Sequence, residues 1–381
     1  MEDSRFTEIK RIKKKDAPHP LHWFIKEDIF SEELFGFFSA EVNSYKSIAT
    51  QAYSLFEKAT SLFLKQGNGK SLDIPQDMYD LIAFTWNARE KHPFLIGRFD
   101  INGGLDNLIT KVIEFNADTC STFPETALWQ NLQMQQLKGK TQFNDLENGL
   151  VEKLKEIKSK IPYNNPVFLA SSLGYEEDRL NCNIVLDAAQ KAGFTPRYAD
   201  LPNVIFSEEG IFLEFGDEYE PVDVFFKMFP WDWICYEEPE LLKDLKHLIL
   251  NEKVVALNPP YTMLWQNKRF LAYITQYFPN EVIAKTFEEN PTTESWVEKP
   301  IFGRIGENIT IKHKTNSFQS KGDYGKQPTV YQEYLPLPKD LENYYYQIGI
   351  FFSDKPLAIN LRCQEQPIIT EDAEFMSHYI L

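Results

Sequence analysis

The sequence predicts an α+β fold in which helices and mixed strands alternate. Three observations predict it. Short apolar runs of strand length alternate with stretches of helical periodicity along most of the chain. Pro and Gly are spread as local punctuation and nowhere gather into a linker, and no internal repeat is visible. Of 381 residues, 43% are apolar and 25% charged, so the chain can bury a large core without disulfides or a structural metal.

Residues 31–65 predict a helix. Leu34, Phe37 and Phe38, then Leu55, Phe56 and Ala59, recur at helical spacing, and Ser31 before Glu32 and Glu33 is a start signal. Residues 76–91 predict a second, shorter helix. At residue 94 the character changes. FLIGRFDING and LITKVIEFNAD are apolar runs around Asn102-Gly103-Gly104, which predicts two strands joined by a turn. Residues 124–160 return to helix. PVFLASS then predicts a strand, and EEDRLNCNIVLDAAQKAG a helix ending at Gly193. Further strands follow in RYADLPNVIFS, GIFLEF and VDVFFKMF, before a helix in EPELLKDLKHLILN. KVVALNPP predicts a strand and YTMLWQNKRFLAYITQYF one helix. SWVEKPIFGRIGENITIKHK predicts two strands around a glycine turn, and TVYQEYLPLP a strand closed by prolines. The last prediction is a hairpin in YYYQIGIFFSDKPLAINLR, turning at Ser353-Asp354-Lys355-Pro356.

Charge narrows the function classes. Forty basic and 56 acidic residues leave a formal charge of −16, and such a surface repels nucleic acid and anionic lipid. Lys10 to Lys15 read as a solvated N-terminal arm. Cys120, Cys182, Cys235 and Cys363 are too far apart for zinc or redox motifs, so free thiols in a reducing, cytoplasmic setting are expected. The first twenty residues lack the apolar region of a secretory signal. No apolar run approaches the ~20 residues needed to cross a bilayer.

The densest polar constellation is Arg98 and Asp100, then Glu114 and Asn116. Residues two apart on a strand share a face. If the two runs pair, a guanidinium, two carboxylates and an amide meet on one surface, a donor set that suits Mg²⁺ completed by phosphates. The other reading is a wet hairpin face with cross-strand ion pairs. The polar run Ala117 to Thr122 follows, where a loop can offer hydroxyls and amides. A second constellation is Glu298-Lys299-Pro300-Ile301-Phe302-Gly303-Arg304-Ile305-Gly306. Its glycines admit backbone amides to phosphate oxygens, and its lysine supplies a point charge. Tyr331-Gln332-Glu333-Tyr334-Leu335 can present a strand end to a purine or stand as an edge strand. Glu176, Glu177 and Asp178 open a helix, where acids favour the dipole or hold an amine. Arg362 can bind a carboxylate or form a surface ion pair. No Walker A, GxSxG, HExxH or GxGxxG motif is present, and His92 and His378 read as structural.

At these motifs the chain resembles the glutathionylspermidine synthase family, in its ligase domain and stand-alone homologues. The carrying segments are GRFD (97–100), EFNADT (114–119), FKMFPWDW (226–233), PPYTMLWQNK (259–268), WVEKPIFGRIG (296–306), VYQEYLPLP (330–338) and the tail from IGIFFSDKPLAINLR to SHYIL. The resemblance implies an ATP-grasp, glutathione-synthetase-like fold, with ATP between two α+β lobes and Mg²⁺ as its companion. It implies a single composite domain, with residues 1–93 an N-terminal helical segment and 94–381 the ligase core. By position it makes Asp100, Glu114 and Asn116 the magnesium ligands and Arg98 the catalytic residue at the reacting carboxylate. Lys268 and Lys299 become phosphate lysines, and Gly303 to Gly306 the mobile loop. Gln332, Glu333, Tyr334 and Leu335 flank the adenine, while Ser121, Glu177 and Arg362 bind substrate. Cys120-Ser121-Thr122-Phe123-Pro124, the Ile305 position and Glu374 to His378 depart from the family pattern. Cys120 also stands outside the Cys/His context of the amidase domain in bifunctional members.

The function implied is ATP-dependent carboxylate–amine ligation through an acyl phosphate. The partners implied are a small acid, such as glutathione or another peptide, and a polyamine or amino acid; neither nucleic acid nor membrane is expected. The alternative is a diverged ATP-binding protein with a regulatory or structural role.

Overall fold

A computed structural model describes residues 1, 3–67 and 69–381. Its largest sheet has seven strands. In spatial order they are Phe6–Glu8, Phe30–Phe37, Glu374–Ile380, Pro356–Gln364, Tyr345–Phe352, Gly97–Asn102 and Lys111–Asn116. All neighbours run antiparallel except Phe30–Phe37 with Glu374–Ile380, which are parallel. The helix Ser39–Gln66 lies against this sheet. Its Ala49, Ala52, Phe56, Ala59 and Phe63 form a buried stripe at helical spacing. Phe56 meets the ring of Phe115 edge-on at 5.1 Å, and Phe115 stacks on Phe99 at 3.8 Å. The two strands that carry the polar constellation are therefore anchored from their opposite, apolar face.

A parallel four-stranded sheet is ordered Val255–Leu257, Val224–Lys227, Val167–Ser172, Thr195–Asp200. The helices Leu146–Ser159 and Glu176–Ala192 share one core with it, through Leu150, Leu154, Val185 and Ala189 against Phe168 and Phe226. Gly193 ends the second helix in the left-handed conformation, at φ 91°. An antiparallel five-stranded sheet is ordered Thr286–Phe287, Thr329–Glu333, Ser295–Pro300, Thr310–His313, Asn316–Gln319. Ile205–Ser207, Gly210–Phe215 and Glu218–Val222 make a small antiparallel meander.

The alternation of helices and strands agrees with the predicted class, and three expectations change. Residues 30–37 are a strand, so the helix expected over 31–65 begins at Ser39. Its true start signal is Glu41, whose carboxylate accepts the Phe38 backbone N–H at 2.9 Å. Leu34, Phe35 and Phe37 are all buried, and such a short apolar run fits helix and buried strand equally. The helix expected in YTMLWQNKRFLAYITQYF is two, Thr262–Gln266 and Lys268–Tyr277. They are broken at Asn267, whose side chain caps the second by accepting from Arg269 N–H at 2.9 Å. The stretch expected as helix over 124–160 is interrupted between Met134 and Leu146. The four cysteines are free and buried. Among the described residues no helix is long and apolar enough to cross a membrane.

Candidate functional site

One cleft gathers most of the residues singled out in the sequence. The strands Gly97–Asn102 and Lys111–Asn116 pair antiparallel, with Arg98 opposite Asn116 and Asp100 opposite Glu114. Residues two apart share a face, so all four project together into the cleft. Arg98 grips Asp100 bidentately, Nε to Oδ1 at 2.7 Å and Nη2 to Oδ2 at 3.1 Å. Asn116 donates its amide to Asp100 Oδ2 at 3.0 Å. The remaining Arg98 nitrogen, Nη1, reaches Ser121 O at 3.4 Å and Thr122 Oγ1 at 3.3 Å. Burial pulls the Arg98 guanidinium down, but Asp100 more than offsets this and the net shift is upward.

The five-stranded sheet and the helix beside it supply the facing cations. Lys268 opens its helix and donates to Glu114 Oε1 at 3.0 Å and Gly303 O at 2.7 Å. Lys299, on Ser295–Pro300, donates to Gln332 Oε1 at 2.8 Å. Burial pushes Lys299 down to about 8, against the pull of Glu114. Burial also pushes the Glu114 carboxyl up, but Lys268 and Lys299 outweigh it and hold the group below the ordinary range. The site thus keeps Glu114 ionised between two ammonium groups.

Gly303 to Gly306 close one wall of the cleft. Ile305 and Gly306 have φ of 48° and 73°, and a Cβ at Gly306 would stand 2.2 Å from Ile369 O. That approach requires glycine. Gln332, Glu333, Tyr334 and Leu335 line the opposite stretch. Gln332 also donates to Ile113 O at 3.1 Å, which ties this strand to the seven-stranded sheet, and to Thr286 Oγ1 of its own sheet at 3.1 Å. Glu333 is held by Lys111 at 2.7 Å, and Leu335 O accepts from Asn102 at 3.0 Å.

The expected substrate residues divide. Ser121 and Arg362 line the cleft. Arg362 is largely committed to its own chain, giving Nε and Nη2 to carbonyls of Thr370, Glu371 and Ala373. Glu177 is not among the cleft-lining residues. It stands in the first turn of Glu176–Ala192, and burial raises its carboxyl while the nearby Arg362 opposes the shift. Sequence reasoning missed Glu125, buried with one oxygen unpartnered and pushed by burial up to about 7. It also missed the fully buried pair Lys227 to Asp118, at 2.5 Å, that braces EFNADT against FKMFPWDW. Both motifs were visible, but nothing local signals that their charges meet.

The donor set fits a hard divalent cation. Two carboxylates and an amide side chain line the cleft together at Asp100, Glu114 and Asn116, with Asp100 held by Arg98 and Asn116 and Glu114 by Lys268. Among the described residues no group of three or more His, Cys, Asp or Glu is arranged for a metal ion. Three oxygens on paired strands leave positions for water and phosphate, as Mg²⁺ favours.

The chain is similar to a Haemophilus influenzae protein named "putative acid–amine ligase", at 27% identity over 91% of this chain and 89% of that protein. It is 23% identical to the trypanothione synthetase of Crithidia fasciculata over 79% of this chain, and spans about half of that longer protein. Among solved structures, a glutathione synthetase-like effector from Globodera pallida shares the fold, with TM-score 0.57, 11% identity and 95% coverage of each chain. The family model for the glutathionylspermidine synthase preATP-grasp region matches residues 15–381, and the chain belongs to that family.

Proposed function

We propose that the chain is an ATP-dependent acid–amine ligase that forms an amide through an acyl phosphate. The observation that carries this reading is the facing of Asp100, Glu114 and Asn116 by Lys268 and Lys299 beside a glycine loop. Those three oxygen donors would hold Mg²⁺, which when bound neutralises phosphate charge. Lys268 and Lys299 add positive charge where the γ-phosphoryl is transferred, and Gln332 to Leu335 flank the base. The family likeness and the fold support the same reading.

Arg98 and Ser121 hold the acid so that a carboxylate oxygen attacks the γ-phosphorus and ADP leaves. The amine nitrogen then attacks the acyl carbon, the C–O bond to phosphate breaks, and phosphate departs. The attacking amine must be neutral, and its proton leaves to water or with the departing phosphate; Glu177 lies outside the cleft lining, beside Arg362. The acid is a small molecule or peptide with a free carboxylate, of which glutathione is one, and the amine a polyamine or amino acid. Residues 1–93 and 94–381 work as one composite unit, since the seven-stranded sheet draws strands from both.

The test is isotope transfer. Acid labelled with ¹⁸O in its carboxylate is incubated with Mg-ATP and an amine, and phosphate is analysed by mass. One labelled oxygen in the phosphate is expected. ADP release with unlabelled phosphate would refute the acyl phosphate. Binding of Mg-ATP without turnover, across a panel of acids and amines, would favour the diverged nucleotide-binding reading.

A further inference from the structure

The FPWDW segment was singled out in the sequence, and the chemistry above leaves it without a part. Structurally it is a rigid platform. The helix Trp231–Glu237 begins directly after Pro230. Trp231 is fully buried, and its indole N–H donates to Asn258 O at 2.9 Å. Its backbone N–H donates to Asp118, which is itself paired with Lys227 in the protein interior. Asp232 follows on this frame, 6% exposed. A carboxylate placed there at the cost of desolvation needs a charged partner.

That partner is Arg304 of the glycine loop, 72 residues further along the chain, which gives Nη2 to Asp232 Oδ1. Arg304 also donates Nη1 to its neighbour Phe302 O at 3.1 Å, while its buried Nε has no partner among the described residues. The other ties of the loop run elsewhere. Ser320 Oγ donates to Gly306 O at 2.6 Å, and Gln327 accepts from Phe302 N–H at 3.0 Å, both within the 295–333 region. Lys268, from the adjoining helix, holds Gly303 O. The Arg304 to Asp232 pair is the ion pair that carries the loop to the lobe of the parallel sheet, beside a ring contact of Phe302 with Tyr236 at 6.2 Å. It crosses from the loop beside the lysines to the helix following Val224–Lys227. Arg304 lines the cleft and Asp232 does not.

We propose that Asp232 is a positioning residue that latches Arg304, and with it the Gly303–Gly306 loop, across the cleft. Resting on the reading of this cleft as a nucleotide site, the latch presets the loop for phosphate. Without it the loop keeps its ties from Lys268 and Ser320 but loses its hold on the facing helix, and the nucleotide must supply that part of the ordering. Asp232 touches no reacting atom.

The test is hydrogen exchange by mass spectrometry over 301–309, in the free protein and with saturating Mg²⁺ and a non-hydrolysable ATP analogue. Asp232→Asn is expected to speed exchange of these amides about tenfold in the free protein. The affinity for the analogue is expected to fall by about tenfold, and the KM for ATP to rise with kcat nearly unchanged. Asp232→Glu should restore much of the protection. Arg304→Ala cuts the pair from its more exposed side and keeps the test available should Asp232→Asn fold poorly. Unchanged exchange and affinity in both Asp232→Asn and Arg304→Ala would overturn the latch. If the unaltered protein did not bind the analogue, the nucleotide reading would fall, and exchange in the free variants would still decide the latch.

Discussion

Lys299 gives a direct handle on the charge balance of the cleft. Its ammonium is buried and pushed down to about 8 from an ordinary value of 10.5. A phosphate placed beside it favours the charged form and draws the value back up, so nucleotide binding and proton uptake are linked. With a value of about 8 in the free protein, the deprotonated fraction is about 0.1 at pH 7, about 0.5 at pH 8 and about 0.9 at pH 9. These are the expected numbers of protons taken up per nucleotide bound. Binding is expected to be steady below pH 8 and to weaken by up to about tenfold per pH unit above it. The stability sign runs the other way. The folded value lies below the unfolded one, so the free protein carries a penalty of about 3 kcal/mol below pH 8, released as pH rises towards 10.5. Titration calorimetry with Mg²⁺ and a non-hydrolysable ATP analogue, in two buffers of different ionisation enthalpy, measures the uptake. Lys299→Met should abolish its pH dependence and weaken binding at pH 7. Uptake that does not change between pH 7 and 9, or that is unchanged in Lys299→Met, would refute the reasoning.

Glu114→Ala is expected to cut ADP formation by at least about a hundredfold, read in a coupled assay, and chelation with EDTA to abolish it until Mg²⁺ is restored. Lys227→Met leaves Asp118 buried and unpaired, so unfolding free energy should fall by about 3–5 kcal/mol, measured from urea denaturation midpoints. Gly306→Ala places a Cβ 2.2 Å from Ile369 O at a φ of 73°, so the loop must shift, and the KM for ATP should rise about tenfold with little change in thermal midpoint.

The chemistry-bearing segments were legible because each is short. The i, i+2 spacing of Arg98 and Asp100, and of Glu114 and Asn116, needs only two extended strands to share a face, and the observed register supplies the pairing. Lys299 before Gly303 and Gly306 is a local pattern of the same kind. The strand at 30–37 was not legible. Its apolar run fits a helix face as well as a buried strand, and the choice lies with Glu374–Ile380, more than 330 residues away, which pairs with it in parallel. The departures at Glu374 to His378 now have a place in that strand, where Ser377 and His378 are fully buried. Arg362 reads from sequence as a candidate ligand, yet its neighbours in space turn most of its donors onto the 370–373 backbone.

By itself the sequence determined the alternation of helices and strands, the acidic surface and the polar and glycine residues that line the cleft. Those follow from periodicity and side-chain chemistry, which act over a few residues. Only the tertiary structure decided which strands lie side by side, that Lys268 and Lys299 face Glu114, and that Asp118 meets Lys227 and Asp232 meets Arg304. The Asp232–Arg304 and Glu114–Lys268 pairs join segments 72 and 154 residues apart. Their partners are chosen by how the sheets pack, because a buried charge has no local rule for finding its counterpart.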